Sequence, residues 1–180
     1  MSAAPPPPPL HVVLIGLMGT GKTTAGRLLA ARLGRPLCDS DSEIEAREGV
    51  TVRELQDRHG ARWLHRLEAT ILLEALARAQ PSVIAAAAST IDDARCRAAL
   101  RGPGVVSVWL EAKLATLVSR YDSDPHRPRY REGTAAALAR QLAARGEHFA
   151  QTATVAIEVD GLEPEAVLEA LDAAIGRWPV

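Results

Sequence analysis

Eight consecutive residues, Gly16-Leu17-Met18-Gly19-Thr20-Gly21-Lys22-Thr23, have a spacing that can do phosphate chemistry. The pattern is G-x-x-x-x-G-K-T, the phosphate-binding loop or Walker A pattern. Glycine admits positive φ and lets a phosphate approach the main chain. Successive N–H groups ahead of a helix form a nest for an anion. The Lys22 ammonium suits the β- and γ-phosphates of a nucleoside triphosphate, and the Thr23 hydroxyl suits Mg²⁺. The expected nucleotide contacts in the loop are Gly19, Thr20, Gly21, Lys22, Thr23 and Thr24. A chance glycine turn is the bland alternative, and the apolar run before the loop and the helical run after it both weigh against that.

A second group follows in Asp39-Ser40-Asp41-Ser42-Glu43. Two carboxylates at the end of a strand lie where open α/β sheets build their sites. Beside a phosphate loop they supply a metal anchor and a proton acceptor. Asp39 is expected to serve Mg²⁺ together with Thr23, and Asp41 to face the acceptor hydroxyl. The same residues also read as a helix start, because Ser40-x-x-Glu43 matches a capping box. Both readings can hold together. Further on, residues 122–132 form a polar stretch broken by prolines. Arg120, Arg127, Arg129 and Arg131 are in or beside it. It reads either as a solvated connector or as a lid, about 120–132, whose arginines stabilise charge on transferring phosphate. The length of the loop favours the lid.

The elements that must position these residues alternate between strand and helix. Val12–Ile15 is an apolar strand ahead of the loop, and Thr24–Leu33 is a helix after it. Pro36–Cys38, Ser82–Ala85, Val105–Leu110 and Val155–Val159 read as further strands. Helices are expected over 61–80, 91–100, 111–121, 133–150 and Pro164–Ile175. Thr51 and Glu54 make a capping box for a short helix that Gly60 stops. Strand–helix alternation implies α/β architecture: a parallel sheet covered by helices on both faces.

At 180 residues and 47% hydrophobic content, the chain is long and apolar enough for one domain with a real core. The formal net charge of -1 suggests no nucleic-acid partner. No run approaches a membrane span, and the first residues lack the pattern of a signal peptide. Residues 1–10, with Pro5 to Pro9, read as a disordered proline-rich stub ahead of a single domain over 11–180. Cys38 and Cys96 fit neither a metal spacing nor a disulfide framework, as suits a reducing cytoplasm.

Taken together these residues resemble the shikimate kinase family. The resemblance runs from about His11 to Ile175. It rests on Gly16–Thr24, Asp39-Ser40-Asp41 with Ile44-Glu45, Gly49-x-Thr51-Val52-x-Glu54, Gly60 with Arg66-Leu67-Glu68, and Arg127-Pro128. It implies a P-loop nucleoside monophosphate kinase-like fold, a three-layer α/β/α arrangement with a five-stranded parallel sheet. It implies a cytoplasmic monomer that uses ATP and Mg²⁺ to phosphorylate an alcohol group of shikimate or a related hydroxylated acid. Lys22, Asp41 and Arg127 would be catalytic. Arg120 would stack on adenine opposite the turn at 161–164, and Arg127 would reach the transferring phosphate. Arg145 would pair with an acceptor carboxylate.

Three departures from the family pattern accompany the match, all expected on the acceptor side. His65 stands where the family has an arginine, three residues before Glu68, and Leu64 replaces a phenylalanine. A Gly-Gly-Gly segment becomes Ala87-Ala88-Ser89, which places side chains of Ala87 and Ala88 where an acceptor ring is expected. Pro-Leu-Tyr after Arg145 becomes Glu147-His148-Phe149. The pattern points to retained ATP chemistry with an altered acceptor, such as a different cyclitol or sugar acid. A nucleotide-binding relative without kinase activity is the rival reading.

Overall fold

The computed structural model describes residues 11–123, 130 and 132–176. Five strands form one sheet: β1 (His11–Ile15), β2 (Leu37–Asp39), β3 (Ser82–Ala85), β4 (Val105–Glu111) and β5 (Val155–Glu158). Their order is β2-β3-β1-β4-β5, and every pairing is parallel. The helices are α1 (Lys22–Leu33), α2 (Ser40–Glu48), α3 (Val52–His59), α4 (Ala61–Leu76), α5 (Ala94–Leu100), α6 (Leu114–Asp122), α7 (Thr134–Thr152) and α8 (Pro164–Ile175). Helices α1 and α8 pack together on the sheet, while α4, α5 and α7 form another packed group. This is the expected α/β/α arrangement.

Strand β1 is central because it is apolar on both faces: Val12, Val13, Leu14 and Ile15 are each no more than 1% exposed. The chain leaves β1 towards β2 and leaves the neighbouring β3 towards β4. Connections that diverge from adjacent parallel strands open a crevice at their carboxyl ends. The phosphate loop and the segment after β3 both emerge there. A smaller core of Ile44, Leu55, Leu64 and Ile71, flanked by Trp63 and Leu67, ties α2, α3 and α4 together beside the sheet. It fixes the helices that carry Asp41, His65 and Glu68.

Local boundaries differ from the sequence reading for identifiable reasons. The cap of α2 is Asp39, whose carboxylate accepts from Ser42 N at 3.2 Å, so Ser40-x-x-Glu43 is no capping box. Glu43 instead accepts from Arg47 at 2.9 Å and Arg78 at 3.1 Å. Helix α4 stops at Leu76 rather than running to residue 80, and the Arg78 carbonyl is used by His11 Nε2 at 3.0 Å. The helix expected over 91–100 is split: a 3-10 turn covers Ala88–Asp92, and Asp93 then caps α5 through Arg95 N and Cys96 N. Residues 111–113 are not helical. Glu111 ends β4, and Lys113 is extended with its N–H donating to Asp160 at 3.1 Å. The Thr51–Glu54 capping box is present as expected. Residues 1–10, and positions 124–129 and 131 of the expected lid, lie outside the described residues. Residues 120–122 belong to α6.

Candidate active site

The phosphate loop is shaped by glycines where other residues do not fit. Gly16 has φ 142°, and a Cβ there would lie 2.6 Å from the Leu110 carbonyl oxygen of β4. Gly21, at φ 90° and ψ 17°, turns the chain into α1 in the left-handed region. Its carbonyl accepts from Ala25 N at 2.9 Å, starting the helix. The first N–H groups of α1 therefore point out of the loop, where an anion is stabilised.

Lys22 Nζ donates to the Gly16 and Leu17 carbonyls, each at 2.9 Å, which holds the ammonium over the loop. Thr20 is buried, and its hydroxyl donates inward to Leu17 O at 2.9 Å. Its main-chain N–H also donates to Leu17 O, at 3.4 Å, so both groups brace the loop from within. Thr23 Oγ1 donates to Asp39 Oδ2 at 2.7 Å, joining the start of α1 to the end of β2. A hydroxyl and a carboxylate beside a phosphate nest form a hard oxygen set. Mg²⁺ is commonly held by one or two such groups plus phosphate and water. No group of three or more His, Cys, Asp or Glu able to hold a metal exists among the described residues. The fit is thus to an ion shared with a nucleotide, not to an all-protein cage.

Beside the loop is a cavity of about 330 Å³ lined by Thr20, Gly21, Thr24, Arg120, Leu162 and Pro164, among others. Arg120 is fixed by donating to Gly19 O and Val159 O, each at 3.3 Å. Arg120 and Leu162 to Pro164 of the turn before α8 line the same cavity, which gives it both polar and apolar surface. Asp160 supports that turn by accepting from Lys113 N.

The other residues expected to serve the acceptor converge from four elements. Asp41 lies in the first turn of α2, two residues after Asp39, and is exposed. Ser40, between them, is buried, and its hydroxyl accepts from Ala87 N at 3.2 Å. This bond ties the acid pair to the segment after β3. Ala87 has φ -60°, and no residue other than glycine has positive φ among the described residues. The Ala87-Ala88-Ser89 segment is therefore unstrained, and it winds into the 3-10 turn. Ala88 and Ser89 are buried.

Ser89 Oγ donates to Glu68 on α4. Sequence reasoning missed Glu68 as a site residue. Its spacing, one helical turn after His65, was the available signal. Glu68 is 7% exposed, and burial pushes its carboxyl up to about 7, against the Ser89 hydrogen bond and with the help of the Asp41 charge. His65 is exposed, yet desolvation and then the positive charge of Arg145 hold its imidazole below the ordinary value, opposed by Asp92.

Arg145 on α7 does reach this cluster, but it arrives engaged. Its Nε lies 3.0 Å from both Asp92 oxygens, its Nη2 donates to Asp92 Oδ2 at 2.7 Å, and its Nη1 donates to Gln141 Oε1 at 3.1 Å. Nothing in the motif spacing pointed to Asp92. Of the expected departure Glu147-His148-Phe149, one residue belongs to the core: Phe149 is 1% exposed and stacks on Trp109 of β4. Arg127 lies outside the described residues.

Residues 18–175 match the family described as shikimate kinase. A shikimate kinase of Frankia casuarinae is 38% identical over 165 residues, 92% of this chain and 72% of the relative. One from Pseudomonas savastanoi pv. phaseolicola is 35% identical over 170 residues, 94% of this chain and 98% of the relative. The structure of a shikimate kinase from Acinetobacter baumannii in complex with shikimate superposes with a TM-score of 0.84 at 28% identity, covering 93% of each chain. No described helix is long and apolar enough to cross a membrane.

Proposed function

The chain belongs to the shikimate kinase family, and from that premise we propose that it transfers the γ-phosphoryl group of ATP to a hydroxyl of shikimate or of a close hydroxylated relative. The observation that carries this reading is the 2.7 Å contact of Thr23 with Asp39, with Asp41 two residues further on. It supports a phosphate loop and a carboxylate able to take a hydroxyl proton lying together at the carboxyl end of the sheet.

Lys22 and the N–H groups of Gly19 to Thr24 bind the β- and γ-phosphates. Arg120 and the 161–164 turn hold the base. Asp41 orients the attacking hydroxyl and accepts its proton as the new O–P bond forms and the bond to the β-phosphate oxygen breaks. Arg127 is assigned to charge on the transferring group. Thr23 and Asp39 would hold Mg²⁺, which when bound neutralises phosphate charge. His65, Ala87 and Ala88 border the acceptor, with Arg145 beyond them. Catalysis here is positioning and fixed charge. The proposal extends to a cytoplasmic location, which two free, buried cysteines support, and to a monomer.

The test is ADP release coupled to an indicator reaction, with shikimate and a panel of cyclitols and sugar acids. Acceptor-dependent release that is lost in Lys22→Ala and in Asp41→Asn is the expected result. Tight ATP binding without stimulation by any acceptor would instead favour a nucleotide-binding relative without kinase activity.

A further inference from the structure

Resting on that reading, we propose that Ser89 is a positioning residue for phosphoryl transfer: its bond to Glu68 clamps the segment after β3 to α4 and so fixes, through Ala87 and Ser40, where Asp41 meets the acceptor. The bonds involved form a closed path. Strand β2 ends at Asp39, which pairs with Ala85 of β3. Ala86 N donates to Leu14 O of β1 at 3.0 Å, so the N–H of Ala87 faces the opposite, β2 side. Strand β2 has ended by then, and Ser40 Oγ takes the bond at 3.2 Å. Ser40 is 2% exposed and lies between Asp39 and Asp41, so a shift of Ala87 is passed to the acid pair.

The 3-10 turn decides where Ala87 sits. The Ala87 carbonyl accepts from Thr90 N at 3.1 Å and from Thr90 Oγ1 at 2.7 Å, so it moves with the turn. Arg97 holds the far end of the turn, donating to Ile91 O at 2.7 Å and to Asp92 O at 3.0 Å. Ser89 ties the turn to α4 through Glu68. Helix α4 shares the smaller core with α2, through Ile44, Leu64 and Ile71. The path from α2 through Ser40, Ala87, Ser89 and Glu68 therefore returns to α2.

Both ends of the clamp are buried: Ser89 and Glu68 are each 7% exposed. Removing the Ser89 hydroxyl would leave a buried carboxyl short of its donor. The Asp41 charge is felt at Glu68, which sets the clamp beside the carboxylate assigned to the acceptor proton. The clamp also joins two of the departures from the family pattern. That pattern has an arginine at 65, one turn before the glutamate, and two such residues on a helix pair naturally. Here His65 stands there and is exposed. The residue at 89, a glycine in the pattern, carries the hydroxyl that Glu68 receives instead.

The variants are Ser89→Ala, which removes the donor, and Glu68→Gln, which keeps an acceptor for it. Hydrogen exchange of the Ala87 N–H is followed by NMR in isotope-labelled protein loaded with ADP and Mg²⁺, with Val13 of β1 as the reference. Steady-state ADP release with ATP and shikimate is measured alongside. In Ser89→Ala the Ala87 N–H should exchange about tenfold faster, with Val13 unchanged. Its kcat should fall about tenfold while KM for ATP stays the same, because the reacting groups lose their alignment and the phosphate loop does not. Glu68→Gln should keep the slow exchange at Ala87. Unchanged Ala87 exchange in Ser89→Ala, faster exchange at Ala87 and Val13 alike, or faster Ala87 exchange with kcat unchanged each overturn the inference. The expected exchange pattern in a protein that releases no ADP with any acceptor would overturn the proposed kinase activity alone.

Discussion

Replacing Glu68 with Gln removes a titrating group from the centre of the acceptor cluster while keeping an acceptor for the Ser89 hydroxyl. The Glu68 carboxyl takes up its proton at about 7 in the folded chain, against 4.5 for the free side chain. Burial is the main cause, and the Asp41 charge adds to it. Asp92 raises it further, while Ser89 and Arg145 pull the other way. A folded pKa raised above the unfolded one means that the folded state binds the proton more tightly. Stability from this group is therefore fully present below pH 4.5 and is lost as pH rises towards 7, levelling off above it. The difference corresponds to about 3 kcal/mol across that window. The assay is urea unfolding of wild type and Glu68→Gln at half-unit steps from pH 4.5 to 8. The wild type should lose stability relative to the variant by about 3 kcal/mol between the two ends. Parallel curves would refute the reasoning, because they would mean that Glu68 is ionised at an ordinary pKa in the folded protein.

Two further outcomes follow from the loop and its cavity. Gly16→Ala adds a Cβ 2.6 Å from the Leu110 carbonyl at φ 142°, so the loop or β4 must move. Unfolding free energy should fall by about 3 kcal/mol, and ADP affinity should fall with it, both measured in the same preparation. Arg120→Ala removes part of the cavity lining and the anchor to Gly19 O, and ADP affinity by calorimetry should drop about tenfold.

The fold was legible because periodicity and motif order agreed. An apolar run before G-x-x-x-x-G-K-T, repeated strand–helix alternation and the Thr51–Glu54 box each have a local cause, and each is present. The limits of Pro164–Ile175 could be read because Pro164 suits a first helical turn. Boundaries failed where a tertiary partner decided them. Arg78 gives its carbonyl to His11, 67 residues away, and Lys113 gives its N–H to Asp160. No local pattern contains those partners.

The site divides in the same way. Lys22, Thr23 and Asp39 were named from spacing; Lys22 bonds back to the loop that follows β1, and Thr23 meets Asp39 at the end of β2. The acceptor side depends on which side chains cross between α4, the turn after β3 and α7. Glu68 with Ser89, and Asp92 with Arg145, are pairs 21 and 53 residues apart. Arg145 was recognised by position, but the carboxylate that engages it was invisible without the fold. The Ala87-Ala88-Ser89 segment was expected to place side chains beside the acceptor; what spacing could not show is that it winds into a 3-10 turn with Ala87 at φ -60° and with Ala88 and Ser89 buried.

On the proposed mechanism the phosphate loop and Asp41 face one reaction space. A crystal structure of the chain with ADP, Mg²⁺ and shikimate tests it most directly. ADP phosphates are expected on the N–H groups of Gly19 to Thr24, with an acceptor hydroxyl about 3 Å from an Asp41 oxygen and directed at the β-phosphate end. An acceptor bound away from Asp41, or a nucleotide whose phosphates avoid the loop, would contradict it.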